Sequence, residues 1–378
     1  MENFIAGDKQ TLRAGPQGLF ESVYGILGAQ TNRTQTVFSQ QPHIEQNPLI
    51  TGQNHPHVSA GDNFYTTTID GNIRHFSVHV PPNYDGTKPI PVVMMMPGMG
   101  GSIDQMRHET GMNRAADQRG FAVVYTEALP KPFPGSLGYS KANSWNLAHG
   151  SLTERTTGYD DLNYIKQVSN VVSRELNTDN AARYIVGFSE GGSAAQFIAE
   201  SMPGTFAGVG SVHGTRLASD LKPKYGDKTA FVAVLGDDDN MLPLRGGHGW
   251  FDGGLLKGFT TITMPKVQQS EPLSQKSNWA QADGCGMPIV TDNGKDKKTE
   301  FFCPGTHVTE IIRHKGQHAW DGLGQNPRNY ITHKPDFGWS FIGEPDPTED
   351  TTRDVLNALL PYRKDGKFVK MQRNLLEQ

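Results

Sequence analysis

One short motif in the chain combines a nucleophilic side chain with the glycines that a sharp turn needs. The motif is Gly187-Phe188-Ser189-Glu190-Gly191-Gly192, between the apolar segment RYIVGF and the helical segment SAAQFIAESM. A sharp strand-to-helix turn crowds the residues two before and two after its apex, and glycine at both positions relieves the crowding. The following helix N-terminus favours negative charge beside the hydroxyl. Ser189 is therefore the candidate nucleophile, and an ordinary Gly-rich turn is the alternative interpretation.

A serine hydroxyl becomes a good nucleophile only when a base accepts its proton. Among the 13 histidines, His318 in KGQHAWDG follows the apolar segment VTEIIRH, and a loop that leaves a late strand is where such a base belongs. His307 and His314 lie within or at the ends of that strand and are expected to be packing or surface groups. His248 is the main competitor. We predict that His318 is the base.

The base needs an acid to orient it, and in folds whose nucleophile stands on a strand-to-helix turn of the G-x-S-x-G type that acid lies between the serine and the histidine in the chain. Three consecutive aspartates, Asp237, Asp238 and Asp239, follow the apolar segment AFVAVLG. A solvated turn or a cation site is the alternative interpretation of such a run. The spacing by itself leaves open which of the three carboxylates would be the acid.

A Gly-rich loop after another apolar segment could stabilise the negative charge that forms during acyl transfer. Pro97-Gly98-Met99-Gly100-Gly101 follows IPVVMMM, and glycines there let backbone N–H groups approach a substrate closely. We expect the Met99 and Glu190 N–H groups to form an oxyanion hole and Gly98 to line it. A plain strand–helix turn is the alternative, and the Glu190 carboxylate is not expected to act as the acid.

Alternating apolar strands and helices position these motifs and predict a mainly parallel, doubly wound α/β sheet. A hairpin is expected around Asp70-Gly71-Asn72, a tight-turn signal. The predicted strands are 64–69, 73–80, 90–96, 121–126, 184–188, 206–212, 230–236 and 308–314. The predicted helices are 103–118, one beginning near 160, 194–202 and 351–362.

Four blocks, taken in order, resemble the polyhydroxybutyrate depolymerase and feruloyl esterase group of α/β-hydrolases. They are PGMGGS (97–102), GFSEGG (187–192), LGDDDNMLP (235–243) and GQHAWDG (316–322), within a resemblance that covers about residues 64–362. The resemblance implies the α/β-hydrolase fold and the triad Ser189, Asp239 and His318, because the acid motif of the family aligns at Gly236 and Pro243.

The resemblance also implies a substrate class. A polyester, a hydroxyacyl ester or an aryl ester of the feruloyl type is expected to be cleaved through an acyl-enzyme, without a metal or an organic cofactor. Pro97, Leu235 and Asp321 depart from the family pattern and leave the substrate open. A β-diketone hydrolase similar to oxidised polyvinyl-alcohol hydrolase, an acyltransferase and a non-catalytic binding protein are the alternatives.

Two tryptophans lie close to these motifs in the sequence. Trp145, in NSWN, falls in an irregular segment where similar proteins place an aromatic residue beside the acyl pocket. Trp320 is two residues after His318. Each is expected either to contact the substrate or to pack in the core.

The chain contains two cysteines, Cys285 and Cys303, in the loop-rich segments DGCGMP and FFCPG on either side of a polar insertion. This setting predicts a hairpin with one cysteine on each arm and a disulfide between them, which the family resemblance also implies. Two separate buried thiols are the alternative. A disulfide would favour a periplasmic or secreted protein. The N-terminus MENFIAGDKQ lacks the pattern of a secretion signal, so a removed signal or a cytoplasmic location is expected.

The composition limits the partners and the domain organisation. The chain has 378 residues and a formal net charge of −4, which does not favour nucleic acid, and no apolar run reaches the length of a membrane span. The expected partner is a small or polymeric ester, and nothing in the sequence defines an oligomeric state. We expect an irregular extension over 1–60, a catalytic domain over 61–365 and a tail over 366–378. Residues 323–346 are expected to form either an active-site rim or lid, or surface decoration.

Overall fold

The computed structural model describes residues 58–132, 141–146, 159–216, 222–239, 241–245, 272–322 and 343–369. These ranges leave out most of the expected N-terminal extension, His248, residues 323–342 of the expected rim and the end of the tail. The proposed domain boundaries therefore remain a prediction. Within the described ranges, no helix is both long enough and apolar enough to span a membrane.

A ten-stranded sheet forms the centre of the described structure. Twelve strands are described, of which ten belong to this sheet. They are β1 Gly61–Ile69, β2 Asn72–Val80, β3 Ile90–Met96, β4 Ala122–Thr126, β5 Pro130–Pro132, β6 Lys141–Asn143, β7 Thr178–Phe188, β8 Gly208–Val212, β9 Ala230–Gly236, β10 Ile289–Asp292, β11 Asp296–Cys303 and β12 Thr306–Arg313. Their order is β1-β2-β4-β3-β7-β8-β9-β12-β11-β10, with β5 and β6 paired separately. The six strands from β4 to β12 in this order are parallel, and the outer strands are antiparallel.

Helices cover both faces of the sheet, as the sequence predicts. They are α1 Ile103–Glu109, α2 Met112–Arg119, α3 Asp161–Glu175, α4 Glu190–Ser201, α5 Gln275–Ala282 and α6 Thr351–Leu359. One buried apolar cluster contains residues of α3, α4 and α5, and a second contains residues of α1, α2 and α6. Because both faces of the central sheet are covered, β4, β8 and β9 are fully buried, and their side chains are mostly apolar. The expected α/β-hydrolase fold is confirmed.

The prediction of one continuous helix over 103–118 is wrong, because the chain turns after α1. The Thr110 side chain donates to the Met106 carbonyl at 2.7 Å, and Gly111 has a φ of +63°. This left-handed conformation cannot continue an α-helix and suits glycine. The hairpin around Asp70 and Gly71 is confirmed, since Ile69 pairs with Asn72 at its end.

A disulfide joins Cys285 to Cys303, as the sequence predicts. Cys303 ends β11, whereas Cys285 lies before β10 and is held by an N–H···O bond to the Ala280 carbonyl at 2.9 Å. The bridge therefore ties the C-terminal end of α5 to the outer part of the sheet.

The disulfide closes a loop with a sequence separation of 18 residues. In the chain-entropy treatment, a loop of this size restricts the unfolded chain by about 3 kcal/mol. We expect Cys285→Ser/Cys303→Ser to lower the free energy of unfolding by about that amount in urea titrations. Activity at 25 °C should be retained because the bridge lies away from Ser189. An unchanged urea midpoint in the variant, relative to the oxidised protein, would contradict this prediction.

Candidate active site

Ser189 stands at the apex of the turn between β7 and α4. It has a φ of +55°, in the left-handed region that a residue with a side chain rarely adopts. A Cβ added at Gly187 would lie 2.0 Å from the Gly191 carbonyl oxygen, and one at Gly191 would lie 2.2 Å from the Met96 oxygen. Only glycine fits at these two positions, so the sequence pattern is explained by backbone packing.

His318 lies in the loop that follows β12 and reaches back to this turn. Its Nε2 is 2.8 Å from the Ser189 Oγ, and its side chain is 1% exposed. The backbone of this loop packs directly against the end of β9. A Cβ added at Gly236 would lie 2.1 Å from the Gly316 carbonyl oxygen, so only glycine allows this close approach. The other described candidates lie elsewhere, because His307 packs on Tyr362 and His314 bonds Asp237 at the surface.

Asp239 is the aspartate of the DDD run that reaches the histidine. Its Oδ2 is 2.7 Å from the His318 Nδ1, and its Oδ1 accepts N–H···O bonds from Met241 and Leu242, both at 2.8 Å. Asp237 and Asp238 are exposed. Burial tends to raise the pKa of Asp239, but the His318 and His213 imidazoles and their hydrogen bonds lower it well below its usual range. This carboxylate stays ionised.

A second histidine, which was not predicted from the sequence, contacts the same carboxylate. His213 directly follows β8, and its Nδ1 is 2.8 Å from the Asp239 Oδ2. Its side chain is 0% exposed. The available signal was its position, because residues that directly follow parallel strands converge at one edge of the sheet.

His213, Asp239 and His318 together are a set of side chains that could hold a metal ion, since one ligand atom of each lies within 4.8 Å of the others. Both Nδ1 atoms, however, lie at hydrogen-bonding distance from one carboxylate oxygen, at 2.7 and 2.8 Å. A nitrogen that donates its proton to an oxygen has no lone pair for a metal. The geometry therefore favours a hydrogen-bonded network over a metal site.

The Gly-rich loop after β3 lies directly against Ser189. A Cβ added at Gly98 would be 3.0 Å from the Ser189 Cβ. The Gly100 and Gly101 N–H groups bond the Asn143 and Gly98 carbonyls at 2.7 and 3.0 Å, which shapes the loop around Met99. Glu190 is the first residue of α4, and N–H groups in a first helical turn have no partner within the helix. The pairing of the Met99 and Glu190 amides remains a prediction.

The Glu190 carboxylate is hydrogen-bonded to the segment that carries Trp145. It accepts hydrogen bonds from the Ser144 hydroxyl at 2.6 Å and the Trp145 N–H at 3.3 Å. Burial raises the pKa of Glu190 to about 7, although these two donors lower it. The carboxylate thus connects the nucleophile turn to residues 144 and 145.

The raised pKa predicts a pH-dependent contribution of Glu190 to stability. Between the ordinary value of 4.5 and about 7, the folded protein holds a proton on this carboxyl that the unfolded chain has released. Raising the pH through this window therefore lowers the free energy of unfolding. Glu190→Gln lacks this component, so its free energy of unfolding should fall less than that of the wild type between pH 5 and 7.5, by on the order of 2 kcal/mol. Urea titrations at both pH values measure the free energy of unfolding of each protein. An equal fall in the wild type and in Glu190→Gln would contradict the prediction.

Both tryptophans occupy packed positions. Trp145 is 0% exposed, and its Nε1–H donates to the Pro97 carbonyl at 2.9 Å, beneath the Gly-rich loop. Trp320 is 4% exposed and donates to the Thr352 hydroxyl at 3.0 Å. Contact of either residue with the substrate remains a prediction. Asp321, the departure from the family proline, pairs with Arg313 at 2.9 Å.

Comparison with known proteins places this chain in a family. A family model described as "Putative esterase" matches residues 67–318. The chain belongs to the Esterase family. It is a carboxylic ester hydrolase of the α/β-hydrolase type, and the matched segment contains Ser189, Asp239 and His318.

Individual relatives of this esterase are distant. A Nocardia uniformis subsp. tsuyamanensis protein named "Putative esterase NocK" is 24% identical over 67% of this chain and 72% of its own. Feruloyl esterase C of Emericella nidulans is 22% identical over 72% of this chain and 84% of its own. Acetyl xylan esterase from Aspergillus awamori is similar in structure, with 14% identity, a TM-score of 0.45 and coverage of 68% and 94%.

Proposed function

We propose that this esterase is a serine hydrolase that forms an acyl-enzyme on Ser189. One observation carries the proposal, namely the chain of hydrogen bonds from Ser189 Oγ to His318 Nε2 at 2.8 Å and from His318 Nδ1 to Asp239 Oδ2 at 2.7 Å. The first bond gives the hydroxyl a base, and the second fixes the tautomer that leaves Nε2 free to accept its proton.

In the acylation step, His318 takes the Ser189 proton as the oxygen attacks the ester carbonyl. The Met99 and Glu190 amides would donate to the resulting oxyanion, each lowering the barrier by roughly 3–4 kcal/mol. The intermediate collapses as the alcohol leaves with the proton from His318. A water molecule then repeats the sequence on the acyl-enzyme, which releases the acid and restores Ser189.

We place aryl esters of the feruloyl type first among the substrates, because two fungal relatives at 22–23% identity are named feruloyl esterase C or probable feruloyl esterase C. Hydroxyacyl esters and polyesters, the other classes implied by the sequence resemblance, form the second group. The disulfide supports an oxidising compartment such as the periplasm or the exterior of the cell.

Two measurements on the full chain test this proposal. A fluorophosphonate probe should label the wild-type protein at Ser189, with the site identified by mass spectrometry of the labelled peptide. A panel of methyl ferulate, p-nitrophenyl esters of increasing chain length, hydroxybutyrate oligomers and a β-diketone should give its highest kcat/KM on an ester. Highest activity on the β-diketone would favour the C–C hydrolase alternative, and preferential transfer to an added alcohol would favour an acyltransferase. Labelling at another residue would exclude Ser189 as the nucleophile.

A further inference from the structure

We infer that His213 is a positioning residue for this reaction, because it donates Nδ1–H to Asp239 and so fixes the carboxylate against His318. The inference rests on the proposed function of Ser189, Asp239 and His318. Its basis is the geometry of the Asp239 Oδ2, which lies 2.8 Å from the His213 Nδ1 and 2.7 Å from the His318 Nδ1. The two imidazoles meet edge to face, with ring centroids 5.3 Å apart.

The protonation of His213 follows from its surroundings. An ionised carboxylate only accepts hydrogen bonds, so the nitrogen that faces it must carry a proton. The opposite nitrogen, Nε2, is buried and has no hydrogen-bond partner among the described residues. A neutral imidazole with its proton on Nδ1 fits this environment. In that form both Asp239 oxygens accept two hydrogen bonds each, and the carboxylate has no free rotation around its χ2 bond.

The backbone holds His213 in a conformation that it would not adopt by itself. Its φ is +46°, in the left-handed region, and its N–H donates to the Val234 carbonyl at 2.8 Å. The next residue, Gly214, packs so closely on α4 that an added Cβ would lie 3.0 Å from the Gly192 Cα. Strained residues of this kind persist where the surrounding structure fixes them, and they concentrate at functional sites. The nucleophile turn and His213 are therefore positioned by the same packing.

Phe188 provides a further link between these groups. Its ring centroid lies 5.1 Å from that of His318 and 6.1 Å from that of His213.

The titratable or charged groups among the described residues that face His213 are Asp239, His318 and Asp321, the last of which pairs with Arg313. Removal of the donor would leave Asp239 with a less stabilised negative charge. That charge would then attract a positively charged imidazole more strongly, so the acid limb of the pH–rate profile is expected to move to higher pH.

Two variants that are nearly isosteric with each other test whether the N–H donor of His213 matters separately from the shape of its side chain. His213→Asn keeps an N–H group at the place of Nδ1 and suits the left-handed backbone. His213→Leu has the same branching without a donor. We expect His213→Leu to reduce kcat by about 10- to 100-fold with KM within about two-fold, since small misplacements of catalytic groups have effects of this size. The acid limb of its kcat/KM profile should move to higher pH, while His213→Asn should keep the wild-type limb and stay within about three-fold in kcat.

The outcomes divide clearly. A merely structural histidine would lower the melting temperature in His213→Leu without moving the acid limb, and that result would overturn the inference. A His213→Asn variant as impaired as His213→Leu would also overturn it. If His213→Leu does not fold, the wild-type proton spectrum still decides the matter, because two low-field imidazole N–H resonances are expected and a single one would overturn the inference. Failure of the proposed function is recognised separately, because the wild-type protein would then show neither fluorophosphonate labelling nor ester turnover.

Discussion

Ser189→Ala should reduce kcat for ester hydrolysis by roughly 10⁴- to 10⁶-fold and leave KM within a few-fold of the wild-type value. The expected size follows from loss of the atom that forms the acyl bond, whereas the Gly-rich loop and the binding surface remain. Steady-state kinetics with p-nitrophenyl acetate measure the change, and the variant should no longer be labelled by a fluorophosphonate. The fold should be retained, because alanine needs no more space than serine at the apex of the turn.

Ser201→Ala is the matched control for this substitution. Ser201 ends the same helix that Ser189 precedes, and its hydroxyl donates to the Phe197 carbonyl at 2.7 Å. Because it lies at the opposite end of α4, its removal should leave kcat and labelling within about two-fold of the wild type. Ester turnover by Ser189→Ala within ten-fold of the wild-type rate would show that another residue is the nucleophile.

Asp239→Asn should reduce kcat by about 10⁴-fold, the effect of the same change in other serine hydrolases of this triad type. An amide in this position cannot stabilise the imidazolium form of His318, and its NH₂ group would oppose the Nδ1–H tautomer. His213 would lose its acceptor at the same time, so stability should also fall. Kinetics and urea titration on the same preparation separate the two effects.

The neighbouring aspartate provides the control for this variant. Asp238 is exposed, and Asp238→Asn should leave kcat within about two-fold of the wild type. The pair therefore tests which carboxylate of the DDD run is the acid, a question that spacing along the chain leaves open. A large loss in Asp238→Asn together with a small one in Asp239→Asn would reverse the assignment.

Much of the frame that positions the candidate site was predictable from local patterns. The buried strands β3 and β9 were predicted at their full bounds, because continuous apolar segments flanked by turns are typical of strands covered on both faces. By contrast, the local pattern predicts one continuous helix over 103–118. Only the left-handed backbone at Gly111, and the Thr110 hydrogen bond beside it, divides the segment into two helices.

The contacts between distant segments were not predictable in the same way. His213 has no sequence signal comparable to the G-x-S-x-G motif, and its role depends on the parallel pairing of β8 with β9, which brings residues 213 and 239 together. The hydrogen bonds from Ser144 and Trp145 to the Glu190 carboxylate were likewise not predictable from local spacing.

Residue types and local patterns predict the sharp turn at Ser189, the apolar strands around it, and the side chains with the chemistry of a nucleophile, a base and an acid. These features depend on residues that are neighbours along the chain, whereas the choice of Asp239 among the three aspartates came from the family resemblance. Other contacts are visible only in the folded structure. Two histidines share one carboxylate oxygen, and Trp145 lies beneath the Gly-rich loop. Such contacts depend on the order and register of strands far apart in the sequence, and those are set by packing of the whole sheet.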